Sequence, residues 1–366
     1  MRRTVHSITI ARLIGNPILL LVAGIAVIGC GVACRDETPQ RARAAALPVA
    51  PTSATPVPVG AMKKVLVVHS YHKGYPWVDA ITQGVQRALA GSPVQVEIVY
   101  MDTKRKPTEA WKRQSGDIAR QVVAEWQPDV VITSDDNAQA YFAKDYAGRD
   151  RPQFVFCGVN AEPGEYGYPA DNITGILERP HFAATLEILS RLMPAARRIA
   201  IVTDDSETST GALKFMTRQP ARYLMVSVET PSTFEQWQAA IRGCQTTADA
   251  IAVYMYHTVK PTGGSESMPP KDVMAWTVEN SRIPIIGFFI FTVDDGALCG
   301  FLESGVEHGF RAGRMAMEIL DGKKAKEIPL VTALEGQSML NMAAAKRYGI
   351  EVSDLARESI EIVIGD

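Results

Sequence analysis

From Met62 onward, short and nearly continuous apolar runs alternate with longer segments of helical periodicity, and the alternation restarts once. The first series places apolar runs at residues 64–68, 94–101, 129–133 and 153–157. Between them Val78, Ile81, Val85 and Leu89 fall on one helical face, and residues 109–126 and 138–146 carry two more helical patterns. The second series repeats the order, with runs at 199–202, 223–228, 250–254 and 283–289 and helices at 208–217, 234–243 and 272–281. Many of the runs are β-branched and lack the polar alternation of a half-exposed strand, so they suit strands buried on both faces. Strands joined by helical crossovers pair in parallel. Two such series predict an α/β protein of two doubly wound lobes.

The remaining tail adds a strand at 298–302 and a helix at 307–320 that ends on Asp321-Gly322, with the glycine placed as a cap. The apolar stretch 328–332 and a helix at 339–348 follow. A tail of this kind is expected to cross back between the lobes. Lobe 1 is therefore expected to hold residues 62–160 plus about 298–325, and lobe 2 about 161–297 plus 326–366.

The first 61 residues have a different character. Arg2, Arg3 and Arg12 precede an apolar stretch from 13 to 29 that ends Val27-Ile28-Gly29-Cys30. A basic leader, a short apolar core and a small residue before the cut describe an export signal over 1–29. The Val-Ile-Gly-Cys ending resembles a bacterial lipobox, which implies a diacylglycerol on Cys30, a mature chain that starts there, and a folded body outside the cytoplasmic membrane. A plain membrane anchor is the competing reading. The stretch is short for a span of ~20 residues, and Asn16-Pro17 interrupts it. Residues 30–61 are rich in Pro, Ala, Thr and Ser and form a semi-extended tether. Of the other cysteines, Cys34, Cys157, Cys244 and Cys299, spacing does not distinguish a disulfide from buried thiols.

Net charge is -2, from 38 basic and 40 acidic residues, which gives no electrostatic footprint for nucleic acid. The run Lys104-Arg105-Lys106 is too short to change that and is read as a solvated loop. No nucleophile elbow, phosphate loop or dinucleotide fingerprint occurs, so no catalytic role and no cofactor are expected. His69 and His72 stand three apart at a strand end, with His257 remote. They are expected to border a cleft rather than to hold a metal.

In open α/β sheets, ligands sit outside the carboxyl ends of the strands. Those ends offer Ser70, Tyr71 and Trp77; then Asp135 and Asn137; then Asn160, where the chain is expected to leave lobe 1. In lobe 2 they offer Asp205, Tyr256 and Phe289. Tyr71, Trp77, Tyr256 and Phe289 supply flat apolar walls, while Asp135, Asn137, Asn160 and Asp205 suit an amine or hydroxyls. Each also has an ordinary structural use: the acidic residues as helix N-caps and the aromatics as core. An amino-acid-like or amine ligand with an apolar part satisfies both sets.

The order of several segments resembles one family. They are Phe156-Cys157-Gly158-Val159-Asn160-Ala161-Glu162-Pro163-Gly164, Asn172-Ile173-Thr174-Gly175-Ile176, Ile283-Pro284-Ile285-Ile286-Gly287-Phe288, residues 305–322, and the stretch from Leu340 to Ile350. Together they resemble the ABC-transporter substrate-binding family that includes tryptophan- and tyrosine-type binding proteins. That resemblance implies a type I periplasmic binding fold with a hinge, a small-molecule ligand held between the lobes, and an ABC permease and ATPase as partners. His69-Ser70-Tyr71-His72 with Gly74-Tyr75-Pro76-Trp77 is instead similar to the extracytoplasmic sensor domains of some signalling kinases. It implies the alternative output, a closed form handed to a kinase acting in trans.

Overall fold

The computed structural model describes residues 62–218 and 223–365. The expected export signal, the lipidation site Cys30, Cys34 and the tether lie outside the described residues. Among the described residues no helix is long and apolar enough to cross a membrane.

The first series folds as β1 (Lys63–His69), α1 (Pro76–Leu89), β2 (Val94–Tyr100), α2 (Glu109–Trp126), β3 (Val130–Ser134), α3 (Asp135–Tyr141), β4 (Gln153–Val159) and β5 (Ile173–Leu177). The second runs α4 (Phe182–Leu192), β6 (Arg198–Val202), α5 (Glu207–Met216), β7 (Leu224–Glu229), α6 (Phe234–Cys244), β8 (Ala250–Val253), α7 (Pro270–Asn280), β9 (Ile285–Ile286), α8 (Ile290–Asp294) and β10 (Cys299–Glu303). The tail holds α9 (Gly305–Leu320), β11 (Val331–Thr332), β12 (Gly336–Asn341), α10 (Met342–Arg347), α11 (Asp354–Glu358) and β13 (Ile362–Ile364).

The strands form two sheets. The first has the order β11-β5-β4-β3-β1-β2 and is parallel throughout. The second has the order β13-β12-β10-β9-β8-β6-β7, with one antiparallel pair, β10 with β12. In each sheet the strand order reverses beside the first strand of its series, between β1 and β3 and between β6 and β8. Such a reversal sends the two flanking helices to opposite faces and opens a crevice at the carboxyl ends of that strand pair. The two doubly wound lobes thus match the sequence pattern.

Alternate residues of the parallel strands feed opposite layers. Val65 and Val67 pack toward α1 with Val78, Ile81 and Val85, while Leu66 and Val68 join Phe142, Phe154 and Phe156. In the second lobe Trp237, Ile241, Val253, Val273 and Met274 form the matching core. Helix α9 lies against α1 on the first sheet, and the contact is made by glycine. A Cβ on Gly309 would sit 2.0 Å from the Ile81 carbonyl oxygen, and one on Gly84 2.2 Å from that of Val306. The i, i+4, i+8 spacing of Gly305, Gly309 and Gly313 therefore brings one backbone onto another. Gly322, at φ +111°, ends the helix in a conformation that favours glycine, as the sequence predicted.

Several expectations require correction. β5 hydrogen-bonds to β4 and keeps the chain in lobe 1 to Leu177, not to Asn160. Residues 298–302, expected in lobe 1, form β10 beside β9 in the second sheet. Only from Gly305 does the chain return to lobe 1, where β11 adds an edge strand, before β12 and β13 finish lobe 2. The strand expected at 283–289 shortens to Ile285–Ile286, and α8 begins at Ile290. The helix expected from 339 starts at Met342, because residues 336–340 pair with β10.

Candidate ligand-binding cleft

Both strand-order reversals deliver side chains to one interface. From lobe 1, the β1 end supplies Tyr71, and the β3 end supplies Asp135. Asp135 stands at φ +65°, a left-handed position in which its carboxylate accepts from Trp77 Nε1 at 2.8 Å and from Ser134 Oγ at 2.8 Å. From lobe 2, the β6 end supplies Asp204, which accepts from the Ser206 and Ser209 hydroxyls, both at 2.6 Å, and from the Thr258 amide at 3.0 Å.

The lobes meet through buried groups. Tyr71 Oη and Thr208 Oγ1 are 2.6 Å apart across the cleft. Tyr254 of lobe 2 points its hydroxyl at Asn160 Oδ1 and Glu178 Oε1, each at 3.0 Å. Trp77 meets Phe289 edge-on with centroids 5.5 Å apart, and Tyr75 contacts both His257, at 4.9 Å, and Phe291, at 5.8 Å. Lys112 pairs with Glu207. Edge-to-face aromatic contacts of this kind contribute about 0.5–1.5 kcal/mol beyond their buried area.

Burial governs the charges. It pushes Asp135 up to about 7, Asp136 to about 6 and Glu178 to about 8, so these carboxyls carry protons that exposed ones would have lost. For Asp204 burial acts in the same sense, but the Lys104 charge and the Ser206 and Ser209 hydroxyls together outweigh it and hold the group below the usual carboxylate range. Asp136 accepts from the amides of Asn160 and Ala161 and from the Tyr166 hydroxyl, so it fixes the strand exit rather than the cleft.

Two chambers lie between the lobes. One, of about 400 Å³, has walls that include His72, Tyr75, Pro76, His257, Met268 and Phe291. The other, of about 80 Å³, is polar and includes Tyr71, Thr103, Asn137, Thr208 and Thr258. Lys104 lines both. Each chamber presents buried polar atoms that have no hydrogen-bond partner among the described residues: Tyr75 Oη and His257 Nδ1 in the larger, Asn137 Oδ1 and Thr258 Oγ1 in the smaller. Buried polar groups are almost always paired, because an unpaired one costs about 1–3 kcal/mol. These four atoms leave bonding capacity unused in the walls of the two chambers.

Of the residues singled out by sequence, Tyr71, Asn137 and Asp205 line the smaller chamber, with Asp205 at its exposed rim. Trp77, Asp135, Asn160 and Phe289 meet at the lobe interface. Ser70 and Tyr256 turn inward. The Ser70 hydroxyl donates to the Ser134 carbonyl and accepts from the Ala138 amide, and the Tyr256 hydroxyl donates to Asp295 from the lobe 2 core. His72 and His257 border the cleft, but His69 does not, since its two ring nitrogens are bonded to Ser134 and Thr82 inside lobe 1. Lys104, read as part of a solvated loop, is 2 % exposed. The residues not singled out by sequence are Tyr75, Lys104, Glu178, Asp204, Tyr254, Thr258 and Phe291. Several adjoin a residue that was singled out, but nothing in the pattern distinguished Lys104.

A family model described as ABC transporter substrate binding protein matches residues 72–361. A tyrosine-binding protein of Clostridioides difficile is 24% identical over 303 residues, covering 80% of this chain and 82% of the relative. Among solved structures, a conserved domain protein of Vibrio cholerae O1 biovar El Tor has a TM-score of 0.67 at 18% identity, covering 83% of this chain and all of the other. The ABC domain of Streptococcus pneumonia in complex with L-Trp has a TM-score of 0.65 at 18% identity, covering 82% and 99%. At such identities the structural likeness speaks for the fold, which is the type I periplasmic binding arrangement of two parallel-sheet lobes.

Proposed function

The chain belongs to the ABC transporter substrate binding protein family, and from that premise we propose that it captures an amino acid with a flat apolar side chain between its lobes. The observation that carries this reading is the pair of adjoining chambers with Tyr75, Asn137, His257 and Thr258 holding unpartnered buried atoms. The larger chamber, about 400 Å³, falls within the ~300–1,000 Å³ usual for small-molecule sites. Its aromatic walls suit an aromatic ring, and the acidic groups that line the smaller chamber, Asp205 and Glu207, suit an ammonium. The names of the Clostridioides difficile and Streptococcus relatives, a tyrosine-binding protein and a complex with L-Trp, support the same ligand class.

In this reading the ligand stabilises the closed arrangement by its differential affinity, since the walls come from both lobes. Tyr71, Trp77, Asn137, Asn160 and Phe289 are the expected contacts, joined by Tyr75, His257 and Phe291; Asp135 positions Trp77, and Asp205 guards the rim. The protein performs no chemistry on the ligand. A diacylglycerol on Cys30 and the tether over 30–61 hold the body outside the cytoplasmic membrane, where an ABC permease and ATPase accept the closed form. The similarity of residues 69–77 to sensor domains favours a second output, a kinase in trans, and loss of uptake on deletion of the gene separates the two. A thermal-shift screen of amino acids, amines and sugars tests the ligand class. Aromatic amino acids are expected to raise the melting temperature; a rise with a sugar and none with any amino acid refutes the reading.

A further inference from the structure

Among the described residues, the buried Lys104 ammonium in the cleft donates to no oxygen. Lys104 stands in the turn after β2, held by Thr103 N–H and the Thr103 hydroxyl on the Ser70 carbonyl, at 3.0 and 2.8 Å, and by Lys106 N–H on the Asp102 carbonyl. From lobe 2 the Ser267 hydroxyl donates to the Lys104 carbonyl at 2.6 Å. The backbone is therefore fixed from both sides, and the side chain enters the cleft.

Its ammonium lies 4.4 Å from the Tyr71 ring centroid and 5.7 Å from that of Tyr75, and it donates to the Met255 thioether at 3.7 Å. A thioether is a weak acceptor, and an ammonium has three protons to place. Four acidic groups lie within electrostatic reach of it: Asp204, Asp135, Glu178 and Glu207. Each is bonded to other donors: Asp204 to the Ser206 and Ser209 hydroxyls and the Thr258 amide, Asp135 to Trp77 and Ser134, Glu178 to Tyr254, and Glu207 to Lys112. Lys112, which also lines the smaller chamber, is thereby satisfied, and Lys104 is not. An ammonium withdrawn from water without oxygen acceptors is costly, and ring faces offset only part of that cost. Lys104 lines both the apolar chamber and the polar one, so an anion bonded to it in the polar chamber would share that chamber with the unpartnered atoms of Asn137 and Thr258, and its ring would have the larger chamber alongside.

We infer that Lys104 is the counter-ion of an acidic group on the ligand, so the cleft takes an amino acid or acid and turns away the corresponding amine. This rests on the amino-acid reading above and narrows it. The test uses the full chain, in wild-type form and as Lys104→Met, which keeps the apolar stem and removes the charge. The probes are L-tryptophan and L-tyrosine, their decarboxylated amines tryptamine and tyramine, and their deaminated acids indolepropionate and hydroxyphenylpropionate, each titrated calorimetrically. The wild type is expected to prefer each amino acid over its amine by at least about 30-fold, the loss expected when one partner of a buried charge pair is removed (about 2 kcal/mol at 1.4 kcal/mol per tenfold). It is also expected to bind the deaminated acids more tightly than the amines. Lys104→Met is expected to weaken amino-acid binding by at least about 30-fold, to leave amine binding within about 3-fold, and to unfold at no lower temperature than the ligand-free wild type. Wild-type binding of the amino acids with full discrimination kept in the variant overturns this inference alone. Should the variant fail to fold, the wild-type ranking decides, and amines bound as tightly as their amino acids overturn the inference. A wild type that binds none of the amino acids overturns the inference and the amino-acid reading together.

Discussion

The bond between Tyr71 and Thr208 gives closure a measurable signature. Both hydroxyls are buried, they come from opposite lobes, and their oxygens are 2.6 Å apart. Tyr71→Phe keeps the ring and strands the Thr208 hydroxyl in the closed cleft, a loss of about 1–3 kcal/mol. With the lobes apart, water hydrates either hydroxyl, so the loss falls on the closed state alone. At 1.4 kcal/mol per tenfold, the closed-to-open ratio drops about 5- to 150-fold, and apparent ligand affinity drops with it. Thr208→Val strands the tyrosine in the same way. The double variant replaces both partners with apolar groups of the same shape and is expected to recover much of the loss, because neither hydroxyl is left alone. Calorimetric titration of L-tyrosine into the four proteins measures the coupling. Effects that add to within about 0.5 kcal/mol would show that the bond is not made in the liganded state and would refute the clasp.

Three further outcomes follow from the packing and the buried charges. Gly309→Ala places a methyl 2.0 Å from the Ile81 carbonyl oxygen and is expected to cost at least about 1–3 kcal/mol in urea unfolding; a change below about 0.5 kcal/mol would mean that α1 and α9 are not in backbone contact. Trp237 is fully buried in lobe 2 with its indole N–H on Thr277 at 2.8 Å, so Trp237→Ala is expected to cost about 3–5 kcal/mol, and an unaltered unfolding midpoint would contradict that core. Glu178 is pushed up to about 8 by burial from an ordinary value of 4.5. Between those values the folded state holds a proton that the unfolded state has released, so this group's contribution to stability falls as pH rises, by at most about 1.4 kcal/mol per unit. Glu178→Gln should therefore gain on the wild type as pH rises from about 5 to 8, and a constant difference would place the carboxyl in a less buried setting.

The sequence pattern made the lobes legible because parallel strands buried on both faces, such as 65–68 and 250–254, are apolar without interruption. Where pairing rather than burial makes the strand, the pattern was silent. β12 begins Gly-Gln-Ser and is defined by its antiparallel partner β10, and β11 is a two-residue edge. The lobe crossings were misplaced for a related reason. β5, beginning with Ile173, and β10, beginning with Cys299, are both plausible in either sheet, and only long-range hydrogen bonds decide between them. In the cleft, the strand-end rule led to Tyr71, Trp77, Asp135 and Phe289. It also admitted Ser70 and Tyr256, whose hydroxyls are spent on Ser134 with Ala138 and on Asp295. Lys104 escaped because its burial comes from lobe 2, through Ser267 and Met255, more than 150 residues along the chain.

The closed cleft is expected to hold an aromatic amino acid. Isothermal titration of L-tryptophan and L-tyrosine into the full chain measures this directly. The expected result is a saturable one-to-one heat for at least one of them, with a negative heat-capacity change as apolar walls leave water. The bound protein should gain about 2.7 kcal/mol of stability at ~100 times the dissociation constant. No heat from any amino acid, with saturable heat from a sugar such as arabinose, would contradict it.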